Sequence, residues 1–505
     1  MEPQQTSLII LILAAPLFFS FFMPILGWRV KKLCYPLAAL AIFLSLLSSL
    51  AVMERVLDQG TAHYYLGGWD PPWGIEFRID HLNAFMAVLV SFICLVGAIF
   101  SGKTVEKDFP EKEGAFYCLF LLLSTGLLGI VLTGDMFNLF VFLEVTSLSG
   151  YALIAMGEKR AMHASFRYVL MGTIGASWYL LGVGYLYIVT GSLNMKDLSE
   201  LLPALYHSKA VVVGFAFVLF GIGIKMALFP LHIWLPDAYT YAPSAVSATV
   251  APLMTKVMIY VILRVAFTVF EPEFPINILH ATTVLTWISV GAILFGGVMA
   301  LTQKDFKRML CYIIVAEIGY IVGGIGIANA TSIKGAVFHI LNDALMMMCL
   351  FFVAGMVMYR TNGHKISDME GLFRKMPLAA AVFTIGALAV IGVPPTGGFF
   401  SKWYLLLGGI EAKHWGFVAA LLISTLINVA LFVRVFDKGI YVHALGHASH
   451  EATTGPADPL RGEVDKIPLS MAISAFIVIL AIFLAGIFNQ AILNNIIQFA
   501  VPSGL

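Results

Sequence analysis

Charged side chains are scarce in this 505-residue chain, in which Asp, Glu, Lys and Arg together make up 12% of the sequence. A soluble protein of this length needs far more polar surface, so the composition excludes a soluble domain. Cysteine is also rare, at five residues, and no two of them form a C-x-x-C pair or a cluster. Iron–sulfur clusters, structural zinc and a disulfide framework are therefore excluded as well.

Nucleotide-binding signals are missing too. No G-x-x-x-x-G-K-[ST] stretch occurs, and no polar segment is long enough to form a nucleotide-binding domain. The 45 glycines follow no phosphate-cradling pattern and are typical of close helix packing. We therefore expect no cofactor, no metal and no nucleic acid partner, and we expect the protein to be driven by an ion gradient or by a partner subunit.

Apolar residues are abundant instead, at 60% of the sequence. Because a spanning helix takes about 20 apolar residues, the sequence predicts an all-α polytopic membrane protein with about fourteen transmembrane helices. The predicted helices start near residues 7, 33, 80, 114, 135, 162, 210, 243, 278, 306, 332, 377, 415 and 467. No basic residue precedes the first segment and no small-residue cleavage site follows it, so we expect a retained helix and not a signal peptide.

Lysine and arginine residues are more numerous in every second predicted loop, that is, in the loops on one side of the membrane. With the amino terminus placed outside, the inner loops carry about eighteen of these residues and the outer loops about six, as the positive-inside rule requires. An even helix number then places the carboxyl terminus outside as well. We expect a multi-pass protein of the cell membrane, embedded in the lipid bilayer with both termini outside.

Two halves of the chain resemble each other at an offset of roughly 170 to 177 residues. The matches are residues 164–168 with 336–340, Glu144 with Glu317, and Lys225 with Lys402. Five helices per repeat is an odd number, so the second copy enters the membrane from the opposite face and two half-channels open to opposite sides. The predicted divisions are 1–113 for the first helices, 114–270 and 278–437 for the inverted repeats, and 438–505 for an inner loop and last helix.

Each repeat contains a predicted helix break with a lysine beside it. Lys225 stands a few residues ahead of Pro230, and Lys402 follows the Pro394–Pro395 pair. A lysine at a helix centre costs roughly 2.5 to 3.5 kcal/mol, so two of them in similar settings indicate a function. Broken helices with ionisable groups at membrane depth are typical of an ion pathway.

Glu144 and Lys256 are further ionisable residues inside apolar segments. We interpret Glu144 as a reversible partner of Lys225; the alternative is a static salt bridge between two helices. Lys256 lies mid-helix and suits a relay. Arg264, two turns later, is expected to snorkel to the outer interface, and Asp80 to cap a helix.

The second half adds a histidine and two acidic residues. His339 can both donate and accept a proton near neutral pH, although a hydrogen-bonded core histidine is the alternative. Asp343, four residues later on the same helical face, is expected to hold the ring or extend the relay. Glu317 is expected beside Lys402. The predicted horizontal order is Glu144, Lys225, Lys256, His339 and Lys402, with Glu317 beside the last.

Two groups of residues give weaker signals. His232 and Asp237 follow the first break on the predicted inner side, where they either line an inlet or face lipid headgroups. His443, His447 and His450 stand close together in the loop before the last helix. Metal binding is one interpretation of this loop, but a solvated loop is favoured because no cysteine lies nearby.

Four stretches of the chain resemble the proton-translocating antiporter-type subunits shared by Mrp-type sodium/proton antiporters, respiratory complex I and membrane-bound hydrogenases. They are GDMFNLFVFLE at 134–144, IKMALFPLHIWLPDA at 224–238, APSAVSATVAPLMTK at 242–256 and PPTGGFFSK at 394–402. The resemblance implies that Glu144 and Lys225 form a paired switch, Lys256 a central relay, His339 the linking histidine and Lys402 the outlet. It is strongest toward the D-type member of Mrp-type complexes and its hydrogenase-associated relatives. Glu317 departs from the family pattern, which has a small polar residue at this place in many members.

Three functions are compatible with these features. The leading hypothesis is a proton-translocating subunit of a multisubunit sodium/proton antiporter, working with other membrane subunits, including a paralogous antiporter-like one, and with protons and sodium as the candidate ions. The rival is a proton-pumping, non-redox membrane subunit of a quinone oxidoreductase or hydrogenase complex, and only this rival would make the chain part of an enzyme. The third is a non-conducting scaffold.

Overall fold

The fold is a bundle of long apolar helices. The computed structural model describes residues 3–157, 159–440, 467–502 and 505. His443, His447 and His450 lie outside these described residues. In chain order, the helices of the first half are α1 (Pro3–Arg29), α2 (Cys34–Gln59), α3 (His81–Asp108), α4 (Glu113–Leu132), α5 (Met136–Ala155), α6 (Lys159–Thr190), α7 (Met195–Leu201), α8 (Lys209–Lys225), α9 (Trp234–Tyr241) and α10 (Ser244–Arg264).

The second half continues the same architecture. Its helices are α11 (Ala281–Thr302), α12 (Phe306–Ile327), α13 (Ala330–Thr361), α14 (Leu372–Lys375), α15 (Pro377–Ile391), α16 (Gly397–Glu411), α17 (Trp415–Ile440), α18 (Leu469–Ile487) and α19 (Asn489–Asn495). All fourteen predicted starts fall within about one helical turn of an observed helix start. Among the described residues, twelve helices are long and apolar enough to cross a membrane. The broken pairs α8–α9 and α15–α16 account for the other two predicted segments.

One small sheet was not predicted. Strands β1 (Ala62–Tyr65) and β2 (Glu76–Ile79) pair antiparallel, with Ala62 opposite Ile79. The hairpin lies against the turn between α4 and α5, where the Gly134 N–H donates to the Glu76 carbonyl oxygen at 2.9 Å. It therefore covers the end of the bundle at which α5 begins.

The two repeats show the same order of elements. In each repeat two helices are followed by a 32-residue helix, a broken helix and a last long helix. Asp135 and Asp305 cap equivalent helices, since each accepts a hydrogen bond from the backbone N–H three residues later, at 2.7 and 3.1 Å.

The two lysines, however, lie on opposite sides of their breaks. Lys225 is the last residue of α8, before the first break, whereas Lys402 lies within α16, after the second. The structure therefore has the arrangement that the sequence predicts, with one lysine ahead of its break and the other after it.

Helices α10, α12 and α13 form the centre of the bundle. The most apolar windows of α10 and α12 are entirely buried and that of α13 almost entirely. Helix α13 packs against α10 from the first repeat and against α12, α15 and α16 from the second. Polar side chains within these buried stretches are thus shielded from both lipid and water.

Candidate functional site

The first ionisable pair joins α5 to the end of α8. Lys225 Nζ lies 3.5 Å from Glu144 Oε1 and donates a shorter hydrogen bond, 2.7 Å, to Ser147 Oγ. Lys225 is buried, whereas the Glu144 side chain is 31% exposed. The predicted pair is present, but its ammonium is shared with Ser147, which the sequence reasoning missed. Ser147 could have been identified from the sequence, because it lies three residues after Glu144 and therefore on the same helix face.

The second pair connects the two repeats. Lys256 Nζ on α10 lies 2.7 Å from Asp343 Oδ2 on α13, and both side chains are completely buried. The two groups are close but lack the alignment of a good hydrogen bond. Of the two roles expected for Asp343, the geometry favours extending the relay, because its carboxylate meets a lysine and not the His339 ring.

His339 is held from both sides of its ring. Nε2 lies 2.7 Å from Glu317 Oε2, and Nδ1 lies 2.8 Å from Ser401 Oγ, with the histidine fully buried. Asp343 is one turn further along α13, on the same face. An imidazole with a partner at each nitrogen is arranged to take a proton at one nitrogen and release it at the other.

Lys402 completes the group. Its Nζ lies 3.7 Å from Glu317 Oε1 and donates to the Val390 carbonyl oxygen at 2.5 Å. Val390 is in the last turn of α15, where the negative end of the helix dipole stabilises a cation. The ring of Tyr320 lies beneath the ammonium at 4.7 Å from Nζ to its centroid.

Five side chains, called here the relay cluster, therefore form two groups: the pair Lys256–Asp343, and the set His339, Glu317 and Lys402. The two groups are linked through α13, on which His339 and Asp343 lie one turn apart, and not by a hydrogen bond or ion pair among the described residues. Among the residues that the structure describes, no hydrogen bond or ion pair joins the Glu144–Lys225 pair to the relay cluster. Sequence reasoning named all five members but did not connect Lys256 to Asp343 or His339 to Glu317. Tyr320 was missed altogether, since an aromatic residue in an apolar helix carries no distinguishing signal.

The accessory candidates lie apart from the cluster. Asp237 bridges two arginines, with Oδ2 3.1 Å from Arg167 and Oδ1 3.0 Å from Arg308. His232 is buried between the rings of Phe229 and Phe295, and its Nδ1 has no partner.

Arg264 does not snorkel. The residue is 7% exposed, and its guanidinium binds Asp80 through two hydrogen bonds of 2.6 and 2.9 Å. Asp80 also caps α3 as predicted, accepting from the Leu82 N–H at 3.0 Å. Burial raises the pKa of Asp80, but the Arg264 guanidinium, together with the Asn83 N–H and Arg78, outweighs burial and holds the pKa below its ordinary value.

The chemistry available to this arrangement is proton exchange. Carboxylates, ammonium groups and an imidazole alternate through a shielded interior in which each charge depends on its neighbour. Among the described ranges, no group of three or more His, Cys, Asp or Glu side chains is arranged to hold a metal ion.

Comparison with known families and proteins gives consistent matches. The family model described as "NADH:quinone oxidoreductase/Mrp antiporter, TM" matches residues 133–428. The matched region contains every member of the relay cluster and the Glu144–Lys225 pair.

Two curated relatives bear different names. The chain is 44% identical over 465 residues to the NADH-quinone oxidoreductase N subunit of Desulforudis audaxviator, covering 92% of each sequence. It is 34% identical over 395 residues to the Na(+)/H(+) antiporter D subunit of Alkalihalophilus pseudofirmus, covering 77% of this chain and 78% of the relative.

A solved structure shares the whole fold. A chain of the membrane-bound sulfane sulfur reductase, an archaeal respiratory membrane complex, superposes with a TM-score of 0.87 at 29% identity. The match covers 97% of this chain and 96% of that chain. The bundle and its broken helices therefore belong to a shared architecture.

Proposed function

The chain belongs to the NADH:quinone oxidoreductase/Mrp antiporter family, and from this premise we propose that it is the proton-translocating subunit of a multisubunit sodium/proton antiporter complex. The observation that carries the proposal is the 2.7 Å approach of Lys256 to Asp343. This contact gives a proton a direct step from the first repeat to the second, inside the most shielded part of the bundle.

The proposed transfer begins at Glu144 and Lys225. A proton reaching Glu144 neutralises its carboxylate and removes the attraction that holds the Lys225 ammonium, which lies only 3.5 Å away. An ammonium released toward α10 repels the charge on Lys256. Lys256 then gives its proton to Asp343, the acceptor within reach.

The second repeat carries the proton onward. Asp343 passes it along one helical turn to His339, whose two nitrogens are held by Ser401 and Glu317. A protonated His339 draws Glu317 away from Lys402, and Lys402 then releases its own proton. Neutralising Lys225 should disable the entry switch, whereas neutralising Lys402 should block release and leave the Glu144 pair intact.

A redox-driven proton pump is the second candidate. It is favoured by the 44% identity to the relative named as the N subunit of an NADH-quinone oxidoreductase, which extends over 92% of both chains. In that setting the same relay cluster would move protons, while partner subunits would supply the electron transfer.

The wider organisation forms part of the proposal. We assign residues 114–270 and 278–437 to inverted repeats, residues 1–113 to preceding helices and residues 438–505 to an inner loop and last helix. The protein is placed in the cell membrane with both termini outside, next to a paralogous antiporter-like subunit.

The test is purification of the native complex, identification of its subunits and reconstitution into vesicles. The antiporter proposal predicts that a sodium gradient alone drives proton movement. Proton movement that requires an electron donor and a quinone would overturn it in favour of the redox-driven pump. If proton movement survives Lys225→Ala and Lys402→Ala in assembled complexes, the chain does not conduct protons, and a non-conducting scaffold is the remaining function.

A further inference from the structure

A basic cavity lies at one end of the bundle, remote from the relay cluster. It has a volume of about 480 Å³ and lies among the first turns of α6 and α12 and the end of α9. Its lining includes Arg160, His163, Asp237, Tyr241 and Arg308, and these five residues are called here the arginine pocket. The positive-inside count assigns this end to the inner face.

Positive charge in and beside the pocket exceeds negative charge. Arg167 and Arg308 both bind the single carboxylate of Asp237, at 3.1 and 3.0 Å. Arg160 adds a third guanidinium, placed over the ring of Tyr241 at 5.9 Å. Among the described side chains, the one carboxylate of the pocket therefore lies with two guanidinium groups of the pocket and a third beside it, from Arg167, and this excess of positive charge favours a further anion.

The helix ends strengthen this preference. Arg160 is the second residue of α6, and Arg308 is the third residue of α12. The amino-terminal end of a helix is the positive end of its dipole, so cations there are disfavoured and an anion is favoured. An anion in the pocket would relieve both unfavourable placements together.

An apolar surface continues from the pocket along α6. Leu170 and Ile174 are exposed and lie about two turns beyond His163 and Arg167, on the same face of that helix. A free phosphate would leave this face uncovered. A phospholipid would match both parts, with its headgroup in the pocket and an acyl chain along α6.

We propose that the arginine pocket binds an anionic phospholipid, with Arg160 and Arg308 holding the headgroup phosphate and the α6 face holding an acyl chain. The bound phosphate would fasten α9, the second half of the first broken helix, to α6 and α12. The lipid would thus stabilise the contact between the two repeats. The proposal does not depend on what drives proton transport.

The test uses the whole purified complex, equilibrated in bilayers of equal parts phosphatidylglycerol and phosphatidylcholine and then released in mild detergent. Native mass spectrometry counts the lipids that remain bound. We expect the wild type to retain phosphatidylglycerol, and the variant Arg160→Gln/Arg308→Gln to retain at least fivefold less. Arg160→Lys/Arg308→Lys should retain most of it, because the charge is kept.

Arg374→Gln is the matched control, since Arg374 is an exposed arginine of α14 outside the pocket. It should bind like the wild type. If the double glutamine variant fails to assemble, Leu170→Ser/Ile174→Ser carries the test by removing acyl-chain contact without changing charge, and it too should lose the lipid. Equal retention in wild type and variants, or equal retention of phosphatidylcholine, would overturn the proposal. Absence of bound lipid together with a partner protein cross-linked to position 163 would also overturn it, in favour of a protein contact.

Discussion

At the scale of single residues, Ser147 and Glu144 compete for one ammonium. The Lys225 hydrogen bond to the serine is 2.7 Å, whereas its approach to the carboxylate is 3.5 Å. A lysine poised between a hydroxyl and a partly exposed carboxylate needs little displacement to leave the carboxylate. This geometry suits a reversible switch better than the static salt bridge that remained the alternative.

Ser147→Ala should therefore slow proton transport by strengthening the Glu144–Lys225 pair. Loss of one hydrogen bond is worth about 1 kcal/mol, or roughly a fivefold change in rate.

Glu144→Gln should lower the transport rate further, by roughly 10²-fold, because it removes a proton-transfer group. Proton flux in vesicles measures both effects. Ser149→Ala is the control, since the Ser149 hydroxyl bonds only the carbonyl of its own helix at 2.7 Å; equal losses in Ser147→Ala and Ser149→Ala would contradict the switch.

Asp80→Asn should destabilise the protein by roughly 1.5 to 3 kcal/mol, because it leaves the buried Arg264 without its charged partner. The thermal midpoint of the purified protein measures the change. Asp70→Asn, at an exposed position of the same connecting segment, should leave the midpoint unchanged. A midpoint for Asp80→Asn equal to that of the wild type would contradict the ion pair.

The pH dependence of this ion pair follows from the lowered pKa of Asp80. The stabilisation is fully present above the unfolded value of about 4 and is lost as the pH falls through the lower folded value. The contribution of Asp80 to the thermal midpoint should therefore be the same at pH 6 and pH 8. A loss of that contribution between these two values would show that the carboxyl is not held ionised.

At the scale of elements, the two broken helices bring an ammonium to the same kind of place by different routes. Lys225 is itself the last residue of α8, whereas Lys402 reaches back from α16 to the carbonyl at the end of α15. In both cases the cation lies at the negative end of the helix that precedes the break. The break therefore fixes where the charge sits, even though the lysine's position in the chain differs.

Gly398→Ala should disturb this arrangement. A methyl group at Gly398 would collide with the Ala389 carbonyl oxygen and lie 2.9 Å from Met346 Sδ, so α16 would have to move away from α15. We expect the free energy of unfolding to fall by roughly 1 to 3 kcal/mol, which lowers the thermal midpoint, and we expect transport to be slower. Gly184→Ala is the matched control, because its added methyl group meets open space within α6. Transport and midpoint unchanged in both variants would contradict the close approach of α15 and α16.

Sequence reasoning identified elements and isolated residues better than contacts. Long apolar runs determine where helices start, so the fourteen starts were correct, and an ionisable residue inside such a run is conspicuous because of its cost. The pairing of Lys256 with Asp343 depends on how α10 and α13 are rotated against each other. The burial of Arg264 depends in turn on Asp80, which is far away in the chain. The local pattern of apolar residues in the sequence predicts neither the relative rotation of two helices nor a contact between residues far apart in the chain.

At the scale of the whole molecule, the two repeats meet at the interface of α10 and α13, and the relay cluster crosses that interface at one contact. The remaining contacts of the cluster lie within the second repeat. Communication between the repeats along this cluster therefore depends on Lys256 and Asp343. Well-packed apolar residues often replace a buried ion pair without loss of stability. If the pair has a purely structural role, a variant with apolar residues at both positions should therefore keep both its stability and its transport.

The most direct test is proton transport by the reconstituted complex that carries Lys256→Met together with Asp343→Leu, compared with the wild type and with Asp343→Asn. The single variant leaves a buried ammonium unpaired and should lower both stability, by roughly 3 to 5 kcal/mol, and transport. The double variant should assemble with a thermal midpoint near that of the wild type and yet move protons at least 10²-fold more slowly. Wild-type transport by a well-assembled double variant would contradict the proposal that protons cross between the repeats at this pair.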